Sequence, residues 1–406
     1  MQFKKLEFAN AAGQKLSARL DLPVDGKPTA YALFAHCFTC SKNIKAIGHI
    51  SRALTLERIA VLRFDFTGLG ESEGDFAETN FSSNVEDLVW AAKFMQAKYE
   101  APTILIGHSL GGAAVLQAAA SILSSRAVVT IAAPADPGHV KLALGQNKEI
   151  IEGQGEANVD LAGRTFKIKK QFLEDLESVQ MLKTIENLNR ALLIFHSPTD
   201  DVVGIENAAR IYQAARHPKS FISLDQADHL LMNPKDSLYV GAVIAAWATK
   251  YVDVDRRDAK KERDTENRIV ARGGQSGFLT DILANDHSMV ADEPYSVGGT
   301  NIGPTPYDFL VAALGACTSM TLRMYADRKG WPLDSIVVRL KHQKIHANDC
   351  KTCDNHTAML DIIDRDIELA GPLDIEQKLR LLEIADKCPV HRTLQSEIII
   401  NTTLKE

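Results

Sequence analysis

Ser109 lies at the centre of Gly107-His108-Ser109-Leu110-Gly111, between the apolar run TILI (103–106) and the small-residue stretch GGAAVLQAAA that begins at Gly111. A serine hydroxyl is a weak nucleophile until a neighbouring base takes its proton. A G-x-S-x-G turn between a strand and a helix lifts that hydroxyl clear of the sheet edge. It also aims the backbone N–H of the next residue, Leu110, at the place where an oxyanion would form. The base is expected late in the chain, on a loop, and FISLDQADHLLMNP (221–234) supplies His229 just past an apolar run. The acid is expected after the preceding strand, where ALLIFHSPTDDVVG supplies both Asp200 and Asp201. A serine, an acid and a histidine in that chain order would carry out acyl transfer.

A second set of residues could do thiol chemistry. Cys317 falls inside the apolar run ALGACTSM, and Cys388 ends another helical stretch just before Pro389. Each alone reads as a buried structural cysteine. Together they can meet where two central helices of a small domain pack, and a nearby cation would activate one of them. A third cluster, HQKIHANDCKTCDNH, holds His342, His346, Cys350, Cys353 and His356. Its Cys-x-x-Cys has zinc-like spacing, but the register is irregular, and a polar hairpin turn accounts for it without a metal. No metal and no cofactor are expected. Cys37 and Cys40 are formally another C-x-x-C, read mainly as small residues at a strand exit.

The elements that must position these residues fall into two sets. YALFAHCF (31–38), VLRFDF (61–66), PTILIGHS (102–109), AVVTIAAP (127–134) and ALLIFHSP (191–198) read as buried strands. They alternate with helical stretches at 46–60 and 84–99 and from Gly111. That rhythm predicts a mostly parallel sheet with helices on both faces. Residues 135–187 break it and are read as a small lid inserted over the sheet. The charge-dense VDVDRRDAKKERDTENR buries nothing, which sets a linker at 253–267 between units at 1–252 and 268–406. In the second unit, TPYDFLVAALGACTSMTLRMYADRKG (305–330) predicts a long apolar helix, with Thr305 as cap, Pro306 first and Gly330 as stop. DIEQKLRLLEIADKC (374–388) predicts another, with Asp374 and Gln377 spaced as a capping box. With the alternating strands between them they form an α+β domain.

Composition bounds the rest. At 406 residues, two domains are the prior. A net charge of −6 leaves no basic footprint, so nucleic acid is not expected as a partner. Six cysteines are too few for a secreted disulfide scaffold. The N-terminus MQFKKLEFAN lacks the apolar core of a signal peptide, and no apolar run reaches 18 residues. A cytoplasmic protein with no membrane span is expected.

The residues around Ser109 resemble the α/β-hydrolase superfamily over about residues 1–250. That family's H-x-x-x-D-x-x-V pattern falls on His196 through Val203, which implies that Asp200 rather than Asp201 is the acid. The family's first oxyanion loop commonly reads His-Gly where this chain has His36-Cys37-Phe38, which implies Phe38 as the second backbone donor. Arg63, Asp65, Gly68, Gly70 and Ser72 resemble its scaffold turn. GPTPYDFLVAALGAC (303–317) and ADKCPVHRTL (385–394) resemble the two helix signatures of the OsmC family of thiol proteins, over about residues 268–406. Many members reduce organic hydroperoxides. The resemblance implies that Cys317 attacks the peroxide, that Cys388 resolves the sulfenic acid, and that a dithiol reductant closes the cycle. It further implies an activating arginine, matched by Arg272 with Arg392 as an alternative, a carboxylate at Asp308, and an intertwined homodimer. The expectation is a carboxylesterase for small or medium acyl groups fused to a thiol peroxidase domain. The alternatives are a thioesterase, or a C-terminal unit that only binds or dimerises.

Overall fold

The computed structural model describes residues 2–24, 28–37, 40–161, 164–252, 269–274, 277–285, 287–346 and 359–404. The chain forms two units, one of residues 1–274 with 280–289, the other of 275–279 with 290–406. The expected linker at 253–267 lies outside the described residues.

The first unit is built on an eight-stranded sheet. Its strands are β1 (Gln2–Ala9), β2 (Lys15–Leu22), β3 (Ala30–Ala35), β4 (Ile59–Phe64), β5 (Ile104–His108), β6 (Ala127–Ile131), β9 (Ala191–His196) and β10 (Lys219–Ser223), in the order β1-β2-β4-β3-β5-β6-β9-β10. Pairing is parallel from β4 to β10. Only β1 and β2 run antiparallel. Neither strand was anticipated, and β1 carries three charges, Lys4, Lys5 and Glu7, between Gln2 and Ala9. Burial on both faces explains why the central strands read as unbroken apolar runs. In β3, Leu33 and Ala35 pack into one core and Ala32 and Phe34 into the other. The first core also takes α2 (Phe81–Lys98), α3 (Leu110–Ala118) and α8 (Glu206–Ala214). The second takes α1 (Lys45–Leu56) and α9 (Pro234–Ala248).

The insertion between β6 and β9 carries α4 (Val140–Ala143), α5 (Asn147–Gln154), the antiparallel hairpin β7 (Glu156–Leu161) and β8 (Arg164–Lys169), α6 (Lys170–Ser178) and α7 (Met181–Glu186). It is less polar in its packing than its composition suggests. Val159, Phe166, Ile168, Phe172, Leu173 and Leu176 are all buried in the first core. Lys167, Lys169 and Lys170 are paired with Glu156, Glu78 and Glu174 on its solvated face.

Strands β11 (Ile269–Gly273), β12 (Thr280–Ala284) and β13 (His287–Ala291) form a three-stranded sheet. The first two belong to the first unit, beyond the sequence-based boundary at 268. Arg52 of α1 is ion-paired with Asp281 of β12, and the Ser288 hydroxyl donates to the Leu56 carbonyl at 2.8 Å.

In the second unit, β14 (Ser335–His346) and β15 (Met359–Ala370) form a long antiparallel ribbon, with α10 (Pro306–Lys329), α11 (Ile375–Ala385) and α12 (Pro389–Leu394). Thr305 and Asp308 make the capping box of α10, and Gly330 ends it at φ +65°. Asp374 and Gln377 make that of α11. By length and composition alone α10 could cross a membrane, which the absence of an 18-residue apolar run did not anticipate. Its buried stripe of Leu314, Thr318, Leu322 and Ala326 repeats every four residues. Leu322 and Ala326 join a small core with Leu333, Leu373, Leu381, Ile384 and Ala385.

Candidate active site

Ser109 follows β5 and precedes α3, with φ +55° and ψ −128°. That is a strained conformation for a residue with a side chain, and strain of this kind persists only where neighbours enforce it. Here the neighbours are on both sides. The Ser109 N–H donates to the Ile131 carbonyl at 2.8 Å, and the Gly112 N–H donates to the Ser109 carbonyl at 2.8 Å. The flanking glycines are required by close approach rather than by their own dihedrals. A Cβ on Gly107 would stand 2.2 Å from the Gly111 carbonyl oxygen, and one on Gly111 would stand 2.4 Å from that of His36. Leu110 is the first residue of α3, so its N–H is among the first-turn donors with no partner inside the helix. Phe38, the other expected oxyanion donor, lies outside the described residues.

His229 sits on the loop after β10. The Asp228 carboxylate shapes that loop by accepting from the Leu230 N–H at 2.9 Å and the Met232 N–H at 3.0 Å. His229 Nε2 is 3.0 Å from Ser109 Oγ. Its Nδ1 is 2.8 Å from Asp200 Oδ2 and 3.1 Å from Oδ1. Asp200 lies on the loop after β9, and its Oδ1 also accepts from the Val202 and Val203 amides at 2.9 Å each. Burial pushes the Asp200 carboxyl up, but the hydrogen bonds from His229 and the two amides outweigh it and hold the acid below its usual range. Asp200 is therefore the residue brought to His229, while Asp201 is exposed. A carboxylate on Nδ1 fixes the tautomer that leaves Nε2 free to accept the serine proton.

His108, beside the nucleophile, reads from the sequence as a support for backbone geometry, and the structure gives it that role. His108 Nε2–H donates to the His229 carbonyl at 2.6 Å, anchoring the backbone of the base. Burial, followed by repulsion from His229, pushes the His108 imidazole down to about 3, so it stays neutral. Asp228, by contrast, had no signal in the sequence. His49, expected at the surface, is half-buried, with Nδ1 2.7 Å from Ser237 Oγ.

The strand exit after β3 is tied to the scaffold turn. Lys42 is buried, its N–H donates to Asp65 Oδ1 at 2.7 Å, and the Arg63 guanidinium donates to the Lys42 carbonyl at 2.7 Å. The Ser72 hydroxyl donates to the Asp65 carbonyl at 2.6 Å. Within that exit, Cys37 is a small buried residue, as expected, and its sulfur is paired with that of Cys40.

In the second unit both thiols meet the start of α12. The Val390 N–H donates to Cys317 Sγ at 3.5 Å, and the His391 N–H donates to Cys388 Sγ at 3.3 Å. Cys388 is fully buried and Cys317 half-buried. Thr318 Oγ1 lies 3.7 Å from Cys388 Sγ. Arg365 of β15 donates to that same hydroxyl at 3.2 Å, to the Ala385 carbonyl at 3.2 Å and to Asp386 at 2.6 Å. Arg365 thus stands on the Cys388 side of the pair, through Thr318. Arg272, the expected cation, lies on β11 in register with Asp281, and Arg392 is exposed. Asp308 takes the capping role that its N3 position allows. Its carboxylate accepts from the Thr305 N–H and hydroxyl at 2.8 Å each, so it is held at the helix start, more than two turns from Cys317. Cys350, Cys353 and His356 lie outside the described residues, and His342 pairs with Asp361 at 2.8 Å. Among the described residues no group of three His, Cys, Asp or Glu could hold a metal ion.

Fold and site together define a serine hydrolase architecture, and the comparisons agree. The chain belongs to the alpha/beta hydrolase family, whose model matches residues 32–279, and residues 298–403 match the model for OsmC-like protein. The esterase domain of a Rhodothermus marinus protein is 58% identical, with a TM-score of 0.53, and its structure covers 62% of this chain and 100% of that one. Est1E from Butyrivibrio proteoclasticus, solved with ferulic acid, is 20% identical at TM-score 0.54, covering 61% of this chain and 99% of that one, and shares the fold. A mouse mitochondrial palmitoyl-protein thioesterase is 26% identical over 47% of this chain, which spans 63% of that relative's length.

Proposed function

We propose that the first unit hydrolyses carboxylic esters of small or medium acyl groups. The observation that carries this reading is the unbroken chain from Ser109 Oγ through His229 to Asp200, mounted on a strained strand-to-helix turn. His229 Nε2 takes the Ser109 proton as Oγ attacks the ester carbonyl, and Asp200 steadies the imidazolium that forms. The tetrahedral oxyanion is met by the Leu110 N–H and, on the family pattern, by that of Phe38. His229 then protonates the departing alcohol. Water, deprotonated by the same nitrogen, releases the acyl group. A panel of esters of rising acyl length tests the reading, with Ser109→Ala as the blank. Turnover confined to long acyl chains would overturn the size assignment, and no turnover would overturn the activity. The thioesterase reading is favoured by the name of the mouse relative, and the same panel built as thioesters separates the two.

For the second unit, we propose thiol-dependent reduction of organic hydroperoxides. Cys317 attacks the peroxide, the alcohol leaves, and Cys388 condenses with the sulfenic acid to a disulfide with loss of water. A dithiol partner returns both thiols. The support is that both sulfurs accept from neighbouring amides of one short helix. Mass spectrometry after one equivalent of hydroperoxide should find Cys317 bonded to Cys388. Two free thiols would leave this unit as a binding or dimerising module.

A further inference from the structure

We infer that Thr318 and Arg365 form a relay that readies Cys388 to close a disulfide with Cys317. This rests on the thiol reading of the second unit for its consequence, but not for its geometry. Adjacent residues of a helix point about 100° apart, so α10 offers two groups to two places. Cys317 is half-buried, while Thr318 is fully buried in the stripe with Leu314, Leu322 and Ala326. A hydroxyl in such a stripe is costly unless it is satisfied, and a valine would fill the same space without that cost. Among the described residues, Thr318 Oγ1 meets Arg365 Nη1 at 3.2 Å and Cys388 Sγ at 3.7 Å. A guanidinium can only donate. Arg365 therefore takes an oxygen lone pair, and the hydroxyl proton is left for the sulfur.

The same arginine fixes where that sulfur stands. Its Nη1 also donates to the Ala385 carbonyl at 3.2 Å, which accepts from the Cys388 N–H at 3.3 Å as well. Its Nη2 is paired with Asp386 at 2.6 Å. Arg365 thus joins α10 to the turn between α11 and α12 that carries Cys388. On that turn the His391 N–H reaches Cys388 Sγ at 3.3 Å and the Val390 N–H reaches Cys317 Sγ at 3.5 Å, so both sulfurs converge on adjacent amides. In the resolving step the Cys388 sulfur attacks the sulfur of the Cys317 sulfenic acid. The S–S bond forms, the S–O bond breaks, and the hydroxide leaves as water with the proton of the Cys388 thiol. The Cys388 sulfur is oxidised and the Cys317 sulfur is reduced. Negative charge builds on Cys388 as its proton departs, and a hydroxyl polarised by a cation behind it meets that charge. Thr318 touches the reacting sulfur, and Arg365 is a positioning residue that acts through it. Among the described residues neither side chain is hydrogen-bonded to Cys317, so the first step, attack on the hydroperoxide, does not depend on them.

The test follows Cys317 and Cys388 in the full-length chain by quenched-flow peptide mapping, after one equivalent of cumene hydroperoxide or of an aromatic disulfide. Either reagent acts first at Cys317, giving a sulfenic acid or a mixed disulfide, and Cys388 then displaces water or the aromatic thiol. The expected result is that Thr318→Val forms the first adduct at the wild-type rate and closes the Cys317–Cys388 bond about tenfold more slowly, the scale of one buried hydrogen bond. Thr318→Ser, which keeps the hydroxyl, restores the rate. Arg365→Met slows the same step with the threonine in place, and it carries the test should Thr318→Val fail to fold. An unchanged closing rate in these two variants, or a first step slowed as much as the second, would overturn the relay. So would a Thr318→Ser variant as slow as Thr318→Val. A wild type that closes the bond only from the aromatic disulfide, with the variants slowed as stated, supports the relay and counts against the peroxidase reading instead. Closure from neither reagent would overturn the relay.

Discussion

At the scale of single residues, the account assigns unequal weight to neighbours that look alike. Ser109→Ala is expected to lower kcat/KM for an ester by several orders of magnitude, since among the described residues no other nucleophile is hydrogen-bonded to His229 Nε2. Asp200→Asn should cost far more than Asp201→Asn, because only Asp200 faces Nδ1. Steady-state kinetics of the three variants check both statements, and a worse loss in Asp201→Asn would reassign the acid. His108 leads to a statement about stability. Its folded imidazole lies at about 3, well below the 6.5 of an unhindered side chain, so between those values the unfolded chain binds the proton and the folded one does not. Stability from this group is therefore complete above pH 6.5 and is lost as pH falls toward 3. Between pH 7 and pH 5 the wild type should lose roughly 2 kcal/mol more unfolding free energy than His108→Asn. Denaturant unfolding at the two pH values measures it. The nucleophile, base and acid were legible because their types, chain order and strand exits are all set by one mechanism. His108 was legible only as a backbone support, its partner lying on a loop over a hundred residues away, and Asp228 was not legible, since its role consists of contacts to backbone amides.

Elements were legible in proportion to how local their signals are. The five central strands and the capped start of α10 could be read directly, because burial on both faces and a Thr-Pro-x-Asp cap leave marks within a few residues. β1 could not, because as an edge strand it leaves most of its residues exposed or half-buried, and neither could β2, which lies between β1 and β4 and has only alternate positions buried along its first half. The insertion adds no strand to the main sheet, and its apolar side chains are spaced to meet a core contributed by distant helices. The thiol site was harder to read. Arg365, which reaches Cys388 through Thr318, had no local signal, while the carboxylate nine residues upstream of Cys317, carried over by resemblance, is the cap its N3 position allowed. This predicts that Asp308→Ala lowers stability by about 1 kcal/mol while leaving the alkylation rate of Cys317 unchanged. A changed thiol rate at unchanged thermal midpoint would restore the carboxylate to the thiol site.

At the scale of the whole molecule, the two units differ in how well they cover themselves. The first has two cores on one sheet, whereas the second leaves Met324 73%, Ile375 77% and Ile400 82% exposed around a core of a few side chains. Apolar surface on that scale marks an interface. The full chain of 44.5 kDa is expected to run as a dimer by light scattering, and a monomer at micromolar concentration would contradict the pairing. The central claim, that Ser109 is the acyl-accepting nucleophile of this hydrolase, is tested most directly by intact mass after exposure to an alkyl fluorophosphonate. The account predicts one adduct per chain, mapped to Ser109, with ester turnover lost in step with labelling and no adduct on Ser109→Ala. Full labelling at another residue, or turnover that survives complete modification of Ser109, would contradict it.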